Sequence, residues 1–149
     1  MRGMLIRKAF LFIMLLVCFV LMFKLTIHTA ISTTPYEKLF SRVEQLELDF
    51  NKEIQEEIIE DAKKYLPNEH AWCVKGGKVE DALIFYADER SVWFLCLGGK
   101  EVHSHPSGVP LPSASDIVSY YLKPFPDEFY IVGRNYFDDG WVITRWKLK

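Results

Sequence analysis

The sequence predicts an α/β fold, a mixed β-sheet sandwiched by helices and preceded by one transmembrane helix. Three features carry that expectation. An uncharged apolar block lies near the N-terminus, one strongly amphipathic helix follows a polar break, and from Glu69 onward short aromatic and β-branched runs alternate with turn residues around a single further helical stretch. The resulting order of helix, strands, helix and strands describes one domain built around a mixed sheet. A chain of 149 residues has room for one domain of ordinary size with a buried core.

Residues 1–8 form a basic flank with Arg2, Arg7 and Lys8, and Ala9 to Phe23, AFLFIMLLVCFVLMF, carries no charge. Fifteen helical residues reach roughly 22 Å, short of a bilayer core of about 30 Å. Continuing through LTIHTAI completes a span if Lys24 snorkels its ammonium to the interface. Segment 9–31 is therefore expected to be a transmembrane anchor. The alternative is a cleaved signal peptide, for which Ala30-Ile31-Ser32 is a mediocre site and His28-Thr29-Ala30 a worse one. The poor cleavage site and the wealth of Leu, Phe and Met favour the anchor. Three basic residues before the span put the N-terminus in the cytoplasm and the domain outside, although Lys24, Lys38 and Arg42 after it weaken that bias. Residues 32–45, opening on the polar ISTTPY, are expected to be a linker, and 46–149 the folded domain.

Within the domain, Leu46-Glu47-Leu48 suits a short strand. Asn51 to Leu66 is expected to be a helix. Ile54, Ile58, Ala62 and Tyr65 recur at helical spacing, acids crowd the first turns, Lys63 and Lys64 occupy the last, and Pro67 stops it. The runs EHAWCVK, ALIFY, SVWFLCL and KEVHSH then read as strands separated by Gly76-Gly77, by Ala87 to Arg90 and by Gly98-Gly99. Ser113 to Leu122 returns to helical character before Pro124, and EFYIVGR and WVITRWKL make a final hairpin. Net charge of −2, without any Lys/Arg cluster, argues against nucleic acid as a partner. Cys18, Cys73 and Cys96 lack CxxC spacing and are too few for a disulfide scaffold. Cys73 and Cys96 fall in expected strands, where buried thiols are the commonest state; outside the cytoplasm they could pair.

The chemistry concentrates in HSHPSGVPLPSASD, residues 103 to 116. His103 and His105 stand two apart, so at the end of a strand both imidazoles point to one face. Asp116 begins the next helix. Two nitrogens and one carboxylate oxygen are the protein ligands of a catalytic zinc that keeps a fourth position for water and lowers the pKa of that water to about 7. Ser113, one turn before Asp116, could offer a hydroxyl to a developing oxyanion, and the base has to come from elsewhere. The ordinary reading also applies. Ser113-x-x-Asp116 is a capping box, Pro106, Pro110 and Pro112 suit a loop before a helix, and an HxH alone is common.

The full pattern, HxHx7Sx2D over His103, His105, Ser113 and Asp116, resembles the motif of the JAMM (JAB/MPN-type) metalloprotease family. The surrounding HPSGVPLPSASDI is similar to its prokaryotic branches, including the RadC-like proteins. The resemblance covers about residues 46 to 149 and implies a JAB/MPN, cytidine-deaminase-like fold. It implies one Zn2+ per chain held by His103, His105 and Asp116, a serine (Ser113) assisting the transition state, and an upstream glutamate as general acid/base. That glutamate best matches Glu69, which follows a helix and Pro67 and precedes a strand closed by Gly76. Family members acting on ubiquitin carry insertions that grip its tail. Here only 33 residues separate Glu69 from His103 and 33 follow Asp116, a minimal core.

Among other acids, Glu53, Glu56, Glu57 and Glu60 are expected on the solvated face of the first helix, and Glu80 and Glu89 near turns. Glu101 shares the face of His103 and could accept an imidazole N–H, although an exposed edge residue is its plainer identity. His70 is expected to face solvent. The four tryptophans are expected to be core or rim residues. These readings describe a membrane-anchored zinc metallopeptidase or isopeptidase, with a protein or peptide substrate, a ubiquitin-like or sulfur-carrier tail among the candidates. The alternative is a non-catalytic metal-binding or interaction scaffold at the membrane. A DNA-directed role is disfavoured by the acidic balance.

Overall fold

The computed structural model describes residues 13–19, 21–22, 25–26, 35–123, 127–135 and 140–149. The expected single-pass anchor over 9–31 is overturned, and with it the membrane localisation and the assignment of sides. Among the described residues no helix is long and apolar enough to cross a membrane. Residues 13–19, 21–22 and 25–26 are helical, and the rest of that expected span, with both signal-peptide cleavage sites, lies outside the described residues. The physical reason is already in the lengths: the uncharged block reaches only about three-quarters of a bilayer core, and Lys24 interrupts its continuation.

The described chain is a mixed α/β fold with a sheet-rich core. Helix α1 (Tyr36–Phe40) starts after Pro35, whose fixed φ suits a helix start. Strand β1 (Val43–Leu46) follows directly. The linker expected over 32–45 therefore contains structure, because Leu39 and Val43 are apolar and buried in the core. Helix α2 (Lys52–Lys64) is capped by Asn51, whose side chain accepts from the Ile54 N–H at 2.9 Å. Its stripe of Ile54, Ile58 and Ala62 packs on Trp72, Val74, Val102, Tyr130, Val132 and Ile143.

The remaining elements are β2 (Ala71–Lys75), β3 (Lys78–Asp81), β4 (Leu83–Ala87), β5 (Val92–Leu95), β6 (Lys100–His105), α3 (Ala114–Leu122), β7 (Glu128–Arg134) and β8 (Trp141–Leu148). Six strands make one sheet in the order β1-β8-β7-β6-β2-β3, while β4 and β5 form a separate hairpin. Only β6 and β7 are parallel; the other five pairings are antiparallel. A parallel pair needs a crossover, and α3 supplies it. α3 and α1 cover the face opposite α2, burying Ile117, Val118 and Tyr120 with Leu39, Val43, Phe129, Ile131 and Trp146. Helices thus lie on both faces of the sheet. Positive φ at Gly76 and Gly77 (55° and 79°) closes the tight β2–β3 turn. A disulfide between Cys73 on β2 and Cys96 just after β5 ties the hairpin to the sheet. The sequence left open whether Cys73 and Cys96 stay as thiols or pair; they are paired, because the fold lays the end of β5 against β2.

Candidate metal centre

β6 is an interior strand, between β2 and β7. His103 sits opposite Ala71 and beside Ile131, and is 2% exposed. His105, two residues on, projects from the same face at the strand end. The proline loop that follows is pinned against β7 and β8. The Trp146 indole N–H donates to the Pro110 carbonyl at 3.3 Å, and the Thr144 hydroxyl donates to the same oxygen. Backbone contact is so close here that a Cβ on Gly133 would stand 2.8 Å from the Gly108 carbonyl. The chain then enters α3 through a complete capping box. Ser113 Oγ accepts from the Asp116 N–H at 3.1 Å, and the Ser113 N–H donates to Asp116 Oδ2 at 2.7 Å. The capping pattern and the ligand arrangement turn out to be one structure: the cap fixes the carboxylate that faces the histidines.

The three side chains converge on one point. His103 Nε2 lies 3.2 Å from Asp116 Oδ1, His105 Nε2 lies 3.2 Å from Asp116 Oδ2, and the two Nε2 atoms are 3.2 Å apart. With metal–ligand bonds of about 2.0–2.1 Å at tetrahedral angles, neighbouring ligand atoms stand about 3.3 Å apart. The donor set fits zinc on its own chemistry too, two imidazoles and a carboxylate. His105 Nδ1 approaches the Val109 carbonyl at 3.4 Å, which as an N–H donor leaves Nε2 unprotonated toward the centre. His103 Nδ1 is buried with no hydrogen-bond partner among the described residues.

Electrostatics agree with that use at His103 and Asp116 and oppose it at His105. Burial lowers the His103 pKa and keeps the ring neutral, although Asp116 opposes it. Burial opposes the charge on Asp116, yet the two facing imidazoles hold it well below the usual carboxylate range. For His105, burial lowers the pKa, but Asp116 and Glu69 outweigh it and the balance is upward.

Glu69 lies just before β2, its backbone N–H donating to the Asp88 carbonyl at 2.7 Å. It is buried, lines the same cavity as His103, Ser113 and Asp116, and stays outside the cluster of three side chains that could hold a metal. Desolvation pushes its pKa up to about 8, His105 pulling down and Asp116 and Asp88 adding to the rise. The competing glutamates Glu53, Glu56, Glu57, Glu60, Glu80 and Glu89 are all exposed.

Two expectations need correcting. Glu101 is not an exposed edge residue: β6 is interior, and Glu101 is 2% exposed and paired with Lys123 at 2.8 Å. The Lys123 ammonium also covers the rings of Tyr120 and Phe94 at 4.5 and 4.8 Å. Lys123, Tyr120 and Phe94 were invisible as neighbours of His103 in the sequence. The single available signal was that Glu101 shares its strand face. His70 does not face solvent either. It is buried on the α2 side, with Nε2 2.8 Å from Asp81 Oδ1 and its ring stacked on Tyr65 at 3.5 Å. Asp61, His70 and Asp81 also cluster, but Asp61 is already engaged by the Trp72 indole N–H and by Lys64.

No protein-family model, curated protein or solved structure matches this chain.

Proposed function

We propose that this chain is a zinc-dependent metallopeptidase or isopeptidase. The observation that carries the reading is the cluster of His103, His105 and Asp116, in which the two histidine Nε2 atoms stand 3.2 Å apart and each 3.2 Å from one oxygen of the Asp116 carboxylate, with a buried glutamate outside the cluster lining the same cavity. The likeness of HxHx7Sx2D to the JAMM motif supports it from the residues. His103, His105 and Asp116 would hold the zinc, which when bound polarises a carbonyl and makes water acidic.

The remaining chemistry belongs to the chain. Glu69, with its pKa near 8 before any metal charge acts on it, is poised to take a proton from attacking water and return it to the leaving amine. Ser113 Oγ accepts from the Asp116 N–H, which leaves its own O–H free to donate to the oxyanion. Peptides, including ubiquitin-like or sulfur-carrier tails, are the proposed substrate class.

Metal analysis of the purified chain should find one zinc, lost in His103→Ala. Glu69→Gln should keep the zinc and lose cleavage of a peptide library. A wild-type protein that holds zinc but cleaves nothing would favour the non-catalytic scaffold; one that holds no zinc ends both readings.

A further inference from the structure

A cavity of about 370 Å3 opens beside the metal ligands, its inner end formed by Glu69, His103, Ser113 and Asp116. The opposite wall is the β4–β5 hairpin together with the last turn of α3. Ile84, Val92 and Phe94 seat the hairpin on the Ala71, Cys73, Ala82 and Cys96 cluster. Phe94 also reaches the centre, its ring 6.1 Å from that of His103. Phe85, Trp93 and Leu95 line the outer part.

The hairpin and the loop after it leave large apolar side chains in solvent: Leu83, Phe85, Tyr86, Leu95 and Leu97, with Phe85 68% and Leu97 69% exposed. Of these, Phe85 and Leu95 also line the cavity; exposed apolar side chains gathered at a concave site mark a binding groove, and the volume lies at the small end of ligand cavities, about 300–1,000 Å3.

Charge narrows the occupant. Apart from Glu69 and Asp116, no carboxylate lines the cavity among the described residues; its cations are Arg90 and Lys123. Lys123 is offset by Glu101 at 2.8 Å. A basic side chain would find no counter-charge beyond the catalytic groups, and a small one would leave the aromatic wall wet.

We infer that this cavity is the specificity pocket for a large uncharged apolar side chain, aliphatic or aromatic, flanking the scissile bond of a peptide substrate, selected by Phe85, Trp93 and Leu95. The inference rests on the peptidase reading above. It follows from continuity: a chain whose side chain fills the cavity has its backbone at the inner end, where Glu69 and the ligand triad stand.

The test uses the full chain loaded with zinc and peptides that differ at one position flanking the bond, carrying Phe, Leu, Ala or Lys on each side in turn. Phe and Leu should exceed Ala in kcat/KM on the order of 10–100-fold, with Lys below Ala. Phe85→Ser and Leu95→Ser change exposed side chains, so the fold should persist. Both should shrink the Phe-to-Ala ratio toward unity while one zinc per chain remains. A flat wild-type series, with zinc bound and peptides cut, overturns the pocket and leaves the peptidase intact.

If nothing is cut, the peptidase reading fails and binding decides the pocket. N-acetylphenylalanine amide should then change tryptophan fluorescence in wild type and much less in Trp93→Phe, and equal binding of the alanine analogue overturns it. Phe19, from the N-terminal helical segment, also lines the cavity. If Phe19→Ala speeds every peptide equally and the hairpin variants change nothing, the occupant is the chain's own segment and the inference falls.

Discussion

Replacing Glu69 with Gln removes one charge and almost no volume, and its effect on stability has a sign that depends on pH. In the metal-free fold burial raises the Glu69 pKa from its ordinary 4.5 to about 8. The folded state therefore holds a proton that the unfolded chain has released between those values. The corresponding stability is fully present below about pH 4.5 and is lost as pH rises through 8. At about 1.4 kcal/mol per tenfold change, the whole interval is worth about 5 kcal/mol, of which about 3 is gone by pH 7. Gln has nothing to release. In chelator-treated protein, wild type should fall relative to Glu69→Gln by about that amount between pH 4.5 and 8.

Urea denaturation at half-unit pH steps measures the difference directly. His103, His105 and Asp116 titrate in both proteins and drop out, apart from their coupling to Glu69. A wild-type-minus-variant difference that stays level from pH 5 to 8 would refute the claim that this carboxyl is desolvated. Added zinc brings positive charge close to Glu69 and should flatten the wild-type slope.

Ser113→Ala removes a helix cap and a candidate oxyanion donor together. Stability should drop by about 1 kcal/mol and kcat by roughly 10²–10³ with zinc retained; an unchanged kcat at that lowered stability assigns Ser113 to capping alone. Replacing both Cys73 and Cys96 with Ser opens a link of sequence separation 23, which the chain-entropy account places at about 3 kcal/mol. Denaturation of wild type under reducing conditions should match the double variant, and no difference between oxidised and reduced protein would show that the bridge does not hold the hairpin.

How far the site was legible in the sequence depends on distance along the chain. His103, His105, Ser113 and Asp116 lie within fourteen residues, and two local rules place them: strand period two aims both imidazoles one way, and a capping box fixes where the aspartate points. Helix α2 was legible from Ile54, Ile58 and Ala62 repeating at 3.6, although it ends at Lys64, and Tyr65, expected on the same stripe, is its exposed C-cap. The N-terminal expectation failed on a length that was marginal from the start. Glu101 and His70 were misplaced because exposure follows from a strand's neighbours, and no pattern within KEVHSH or EHAWCVK says that β6 is flanked on both sides.

By itself the sequence determined which residues could bind a metal and the faces they take on their own elements, because both are settled within a few bonds of backbone. The resemblance singles out Glu69, 34 positions before His103, but tertiary structure alone brings it to the same cavity. Ala71 pairs with His103 across the β2–β6 ladder, and a slip of one residue would have turned Glu69 to the other face of the sheet. The Lys123–Glu101 pair, the Cys73–Cys96 bridge and the hairpin beside the centre have the same origin. Each depends on pairings between distant strands, whose register is chosen by the packing of both sheet faces together and is written in no single segment.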